Sequence, residues 1–220
     1  MCTASSAALR SLLSVGGRPF LDWVLDNLGR HGVERVILTV GYRAEAFEEW
    51  IASRGDGVTV STFVETEALG TGGALPLLAD RLDPAFFVLN GDTLFDVPLP
   101  ELGHLLLNSE DAGAVALRSV PDTSRYGRVQ LDGARIVDFE EKGAEGPGLI
   151  NGGVYALRRE AITSLGSPSS IERDLLPGLA QRSSLTGLEA DGFFIDIGVP
   201  HDFEEAQVSV PEWWAETAGG

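Results

Sequence analysis

Two aspartates stand where apolar runs end. Asp92 follows Phe86-Phe87-Val88-Leu89 and the pair Asn90-Gly91, and Asp196 follows Phe193-Phe194-Ile195 and precedes Ile197-Gly198. A carboxylate at the tip of a buried strand sits on a rigid mount. Two such carboxylates, delivered by separate strands, can share one hard cation, because Mg²⁺ takes one or two carboxylates and lets substrate phosphates complete its shell. Taken singly, each Asp also fits the plainer role of capping the turn that follows.

Three other segments carry candidate chemistry. Ala68–Leu75 (ALGTGGAL) is glycine-rich between a strand and a helix, so its backbone N–H groups can approach a base or a phosphate. No Gly-Lys-[Ser/Thr] follows, so it is not a Walker loop, and a tight turn is the simpler explanation of it alone. The chain has fifteen arginines but one lysine, Lys142, which stands beside Glu141 at the end of a hairpin. An ammonium there can meet a phosphate as a point charge, or lie on a solvated turn. Asn151-Gly152-Gly153 interrupts a strand-like run, which marks either close approach of a ligand or a β-bulge.

The elements that must position these residues read as follows. Leu21, Val24, Leu25 and Leu28 have helical spacing, with Pro19 before them and Gly32 after. RVILTV (35–40) reads as a buried strand, AEAFEEWIASRG as an amphipathic helix, VTVSTFV (58–64) as a strand, ALPLLADRL as a helix and AFFVLN as a strand. PLPELGHLLLNSE is helical and AGAVALRSV extended. This alternation predicts α/β architecture with a mostly parallel sheet. The second half differs: Asp132-Gly133 between alternating runs is a hairpin signal, GLINGGVYAL is a strand, SIERDLLPGLA is helical up to Pro177, LEADGFFIDIGVP is a strand pair or a strand with its exit loop, and HDFEEAQ begins a last helix. We expect one domain over residues 1–220 with an antiparallel insertion and residues 207–220 forming a C-terminal tail; Trp213-Trp214 can cover the core or form a subunit contact, and packing within the chain is the preferred reading.

Bulk properties narrow the classes. With 220 residues and 44% hydrophobic content, a sizeable core can form. The net charge of −17 repels polyanions, which argues against nucleic acid as a partner. Cys2 is the single cysteine, so neither an intramolecular disulfide nor a thiolate cluster can form. No run approaches the ~20 apolar residues of a membrane span, and the expected location is the cytoplasm.

The series LLSVGGRPFLDWVLDNL, GYRAEAFEEW, ETEALGTGGAL, VLNGDTLF, YGRVQLDGARIVDFEEKG, LINGGVYAL, SIERDLLPGLA and GFFIDIGVPHDFEEA, in this order, resembles the sugar-1-phosphate nucleotidylyltransferases. The nearest look is to members that use GTP with heptose- or mannose-1-phosphate. The resemblance implies a three-layer α/β/α Rossmann-like fold with a mixed sheet, Mg²⁺ as cofactor, and GTP and a sugar 1-phosphate as ligands, with a homo-oligomer left open. It further implies Asp92 and Asp196 as metal ligands, and Glu65, Gly70, Thr71, Gly73 and Gly91 at the nucleotide. Gly127, Glu141, Lys142, Asn151 and Gly152 would lie at the sugar phosphate. The family's N-terminal strand and its Gly-Gly-x-Gly-[Ser/Thr]-Arg loop are not found in residues 1–8, Met-Cys-Thr-Ala-Ser-Ser-Ala-Ala. The domain is therefore expected to be N-terminally incomplete relative to the family, with Arg10 supplying a cation where a lysine is usual. The alternative function is a non-catalytic nucleotide-sugar-binding paralogue or regulatory subunit.

Overall fold

The computed structural model describes residues 10–41, 43–55, 57–140, 143 and 145–218. Contacts group the chain into two compact units: Met1–Ala68 with Gly91–Asp96 and Phe193–Gly220, and Leu69–Asn90 with Val97–Gly192.

The first unit opens with a two-residue hairpin, β1 (Ser14–Val15) against β2 (Arg18–Pro19), turned by Gly16 and Gly17 at φ +58° and +88°. Helix α1 (Phe20–Arg30) follows with its apolar side buried through Phe20, Leu21, Trp23, Val24, Leu25 and Leu28. Pro19 caps it, and Gly32 at φ +81° leads the chain away. Strand β3 (Arg35–Val40), helix α2 (Ala44–Ser53) and strand β4 (Thr59–Val64) form a βαβ unit, β3 and β4 pairing parallel with Phe47 and Trp50 of α2 buried. The last helix of this unit, α5 (Pro200–Ala218), runs through the stretch expected as a tail. Apolar side chains hold it: Trp213 stacks on Phe193 with centroids 5.0 Å apart, and Trp214 meets the edge of Trp23 at 6.1 Å. The two tryptophans therefore pack within the chain, as expected.

The second unit is built on a six-stranded sheet in the order β5-β10-β7-β11-β9-β8. Its strands are β5 (Ala85–Leu89), β7 (Gly113–Val120), β8 (Arg128–Asp132), β9 (Arg135–Phe139), β10 (Gly148–Arg158) and β11 (Leu185–Glu189). Helix α3 (Leu99–Leu107) buries Leu99, Leu102 and Leu106. Val115, Leu117, Ile136, Tyr155, Leu157, Leu176 and Leu185 lie in the core of this unit. The β8–β9 turn is the one that Asp132-Gly133 announces, with Gly133 at φ +61°.

Three sequence expectations change. The sheets are mixed, but only β3–β4 and β7–β11 run parallel among the described pairings. The α/β alternation of the first half runs on through α3 to β7, but its strands do not join one parallel sheet, because β10 pairs antiparallel with each of its neighbours β5, β7 and β8. LEADGFFIDIGVP is not one strand pair: Leu188 and Glu189 end β11, whereas Phe194–Asp196 forms β12 in a different sheet. The helix after Ser170 does not stop at Pro177. A widened turn, Ile171–Leu175, passes into α4 (Leu176–Gln181), and Pro177 falls in its first turn, where a missing N–H costs nothing.

Candidate active site

A short strand that the apolar run concealed places the two aspartates together. After Asp92 the chain forms β6 (Thr93–Phe95), which pairs antiparallel with β12 (Phe194–Asp196) in the register Thr93↔Asp196, Leu94↔Ile195 and Phe95↔Phe194. Leu94, Phe95 and Ile195 are buried, and Phe95 and Phe194 meet edge to face at 5.3 Å. This apolar pair fixes the register. Asp196 then lies opposite the residue after Asp92, and the Ile197 N–H donates to the Asp92 carbonyl at 2.9 Å.

Both carboxylates face one small space. A Cβ placed on Gly198 would lie 2.8 Å from Asp196 Oδ1 and 3.4 Å from Asp92 Oδ2. Gly198 leaves that space open, and its own N–H donates to Asp196 Oδ1 at 2.8 Å. Arg10 Nη2 approaches Asp92 Oδ2 at 3.5 Å. Burial pushes the Asp196 carboxyl above its usual range, and the charges of Asp92 and Asp202 push the same way; the Gly198 N–H and Arg10 oppose them. A half-buried carboxylate facing a second one is a site that gains from a bound cation. The donors are all hard oxygens, which suits a hard divalent cation rather than a soft or thiophilic ion.

Gly198→Ala should therefore cost activity more than stability. The added methyl must push one carboxylate aside, and a misplacement near 1 Å can cost about 10²-fold in rate. We expect kcat to fall by about that factor with a melting temperature close to wild type, measured by steady-state kinetics and thermal denaturation on the same preparation.

Asp96, just past β6, is tied to α1. His31 Nε2 lies 3.0 Å from its Oδ1, and this hydrogen bond is the main cause that holds the Asp96 carboxyl below its usual range, with Arg30 contributing. A lowered carboxylate pKa stabilises the fold above the unfolded value of about 3.9, and that contribution is lost as pH falls through the folded value. His31→Ala should then destabilise by about 1 kcal/mol at pH 7 and show a smaller further loss below pH ~4. Urea unfolding across pH checks both signs.

In the second unit the glycine loop is a single helical turn, Gly70–Gly73. Gly70 takes φ +78°, and the Gly72 N–H donates to the Ser169 carbonyl at 2.9 Å. Cβ atoms at Gly70, Gly72 or Gly73 would meet Ser169 atoms at 2.3, 3.0 and 3.2 Å respectively. These glycines are therefore needed for close packing against 167–171, a structural demand that stands beside any ligand role. Thr71 is exposed, and its hydroxyl donates to Glu172 Oε2 at 2.8 Å.

The interruption in β10 is a bulge. Asn151 pairs with Leu117 and Tyr155 with Val115, so β10 gains two residues over β7 between those pairs. Gly153 at φ +73° makes the bulge, and a Cβ there would lie 2.9 Å from Asn90 Nδ2. Asn151 Oδ1 accepts from the Gly153 N–H at 2.9 Å, and its Nδ2 donates to the Tyr155 hydroxyl at 2.9 Å. Gly127 lies against the Glu140 carbonyl, which a Cβ would approach to 2.5 Å. Glu65 follows β4, its N–H donating to Val40 at 2.7 Å. Gly91 is half-buried beside Ser11. Glu141 and Lys142 lie outside the described residues. Sequence reasoning missed Tyr155 and Glu172, since a tyrosine in an apolar strand reads as core and a glutamate in a helical run as surface.

A family model for nucleotidyl transferases matches residues 4–212. The D-glycero-alpha-D-manno-heptose 1-phosphate guanylyltransferase of Aneurinibacillus thermoaerophilus is 32% identical over 201 residues, 90% of this chain and 87% of that protein. The mannose-1-phosphate guanyltransferase of Yarrowia lipolytica is 34% identical over 203 residues, 88% of this chain and 56% of that longer protein. The crystal structure of HddC from Yersinia pseudotuberculosis complexed with GMP-PN superposes with a TM-score of 0.80 at 28% identity, covering 91% of this chain and 89% of that one. The chain belongs to the nucleotidyl transferase family of enzymes and has its α/β Rossmann-like fold. No helix is long and apolar enough to cross a membrane among the described residues.

Proposed function

We propose that this chain transfers the guanylyl group of GTP to a sugar 1-phosphate, D-glycero-α-D-manno-heptose 1-phosphate or mannose 1-phosphate, in the cytoplasm. The observation that carries the proposal is the convergence of Asp92 and Asp196 on the space left by Gly198; the guanylyltransferase relatives support the choice of base and sugar. A phosphate oxygen of the sugar 1-phosphate attacks the α-phosphorus of GTP in line. The bond from that phosphorus to the oxygen bridging to the β-phosphate breaks, and pyrophosphate leaves with the electron pair. GDP-sugar is the other product.

Such a reaction needs positioning and charge neutralisation more than covalent chemistry. Mg²⁺ held by Asp92 and Asp196 would supply part of that neutralisation. Arg10 acts as a fixed cation for the pyrophosphate leaving group, and Lys142 pairs with the sugar phosphate. Glu65, Gly70, Thr71, Gly73 and Gly91 serve the nucleotide. Gly127, Glu141, Asn151 and Gly152 serve the sugar, with the Asn151 amide set by the bulge.

The test is pyrophosphate release by the purified chain with GTP, ATP, CTP, UTP and dTTP, each combined with heptose-, mannose- and glucose-1-phosphate. The highest kcat/KM is expected for GTP with a manno-configured sugar. Preference for another nucleotide would overturn the choice of base, and preference for glucose 1-phosphate the choice of sugar.

A further inference from the structure

Glu172 is a carboxylate that the reaction above leaves without a role, and its two oxygens serve two different segments. Oε2 accepts from the hydroxyls of Thr71 and Ser170, both at 2.8 Å. The Thr71 hydroxyl in turn accepts from the Ile171 N–H at 3.0 Å, so the exposed loop residue is clamped from two sides. Oε1 accepts from the Tyr155 hydroxyl at 3.4 Å, and that hydroxyl accepts from Asn151 Nδ2 at 2.9 Å. Glu172 itself is placed by the Ser170 cap, whose hydroxyl accepts from the Arg173 N–H at 3.3 Å at the start of the widened turn. Turns of this kind recur at functional sites.

The chain of donors has a fixed direction. Tyr155 is fully buried, and burial together with the charge of Glu172 pushes its hydroxyl pKa well above the usual value. Its proton therefore stays on the phenol and points to Glu172, while the oxygen takes the Asn151 N–H. The Asn151 oxygen is taken by Gly153, so a flipped amide would lose both bonds. One carboxylate thus holds Thr71 directly and is joined through the Tyr155 hydroxyl to Asn151, whose amide the Gly153 N–H also orients.

We propose that Glu172 is a positioning residue that couples the nucleotide and sugar-phosphate subsites, so that a ligand at either subsite raises the affinity of the other. This rests on the assignment of Thr71 and Asn151 to those subsites. The bonds to Thr71 and to Tyr155 share one carboxylate, so a ligand that tightens one arm tightens the other for the second ligand. Such coupling is reciprocal, the same factor acting on both affinities.

The test is calorimetric binding of guanosine 5′-[α,β-methylene]triphosphate, alone and with saturating D-glycero-α-D-manno-heptose 1-phosphate. In wild type each ligand should tighten the other by about 5- to 50-fold. Tyr155→Phe keeps the ring and the Thr71 arm. It should bind the nucleotide analogue alone within about twofold of wild type while the coupling factor falls towards one. Glu172→Gln should lose the coupling too, because its amide cannot accept from both arms. A readout that does not need the variants is amide exchange: the sugar phosphate should slow exchange in Gly70–Gly73 of the wild type. Wild-type binding of both ligands with no coupling, or coupling unchanged in both folded variants, would overturn the proposal. A wild-type chain that binds neither ligand would overturn the assignment of the subsites, and the coupling with it.

Discussion

Asp92→Ala should lower metal-dependent pyrophosphate release by about 10²–10³-fold or more, the scale on which loss of one preorganised group at a reacting phosphate is felt. Asp196→Ala should do the same. Stability should hardly move. Asp92 gives up its contact with Arg10 at 3.5 Å, in which both side chains are partly exposed, and such pairs are worth about 0–1 kcal/mol. Removing either carboxylate also relieves the charge repulsion that adds to burial in raising the Asp196 carboxyl above its usual range. The two effects oppose each other, so a melting temperature near wild type with activity lost would separate a role in chemistry from one in folding. The double variant is informative as well. If both carboxylates hold one ion, Asp92→Ala/Asp196→Ala should be little worse than either single variant, because groups that act as a unit are not additive. Multiplying losses would mean two independent roles.

Gly70→Ala should be among the most destabilising single substitutions in the described chain. The residue sits at φ +78°, where an L side chain costs about 1–2 kcal/mol. Its Cβ would lie 2.3 Å from the Ser169 carbonyl oxygen. That atom is backbone and is already engaged by the Gly72 N–H at 2.9 Å, so it cannot swing away as a side chain would. Overpacking of this kind costs about 1–3 kcal/mol, for a total near 3 kcal/mol. Gly17→Ala is the control, since Gly17 has φ +88° and an added methyl there would meet nothing within 4 Å. It should lose only the conformational part, about 1 kcal/mol. Urea unfolding of the two variants measures the difference. Equal losses would mean that the close approach to Ser169 is not what requires glycine at position 70.

The residues themselves were more legible than their partnerships. Asp92 and Asp196 stand out because each breaks an apolar run, and the structure puts both beside Gly198. What joins them was hidden: β6 and β12 are three residues each, too short for an alternation to register, and their pairing is a long-range event. The bulge at Asn151–Tyr155 was one of two readings of the paired glycines; the register shift against β7 shows the bulge, which is compatible with the ligand role as well. Strand β11 escaped because Leu-Thr-Gly-Leu-Glu carries a glycine and ends on a charge, while its burial comes from β7 beside it. The parallel bias holds for the β3–α2–β4 segment, but β5 and β7, read into the same parallel sheet, pair antiparallel with one long strand of the second half. Glu172 could not be singled out from sequence, because its importance lies in hydrogen bonds to Thr71 and Tyr155, on separate segments.

Guanylyl transfer itself is best tested by ³¹P NMR of the purified chain with GTP and D-glycero-α-D-manno-heptose 1-phosphate, run with Mg²⁺ and again with excess EDTA. The proposed reaction requires that the GTP and sugar phosphate signals give way to those of a GDP-sugar and pyrophosphate in equal amounts, with no conversion in EDTA. A folded chain that binds both ligands and forms no GDP-sugar in Mg²⁺ would contradict it.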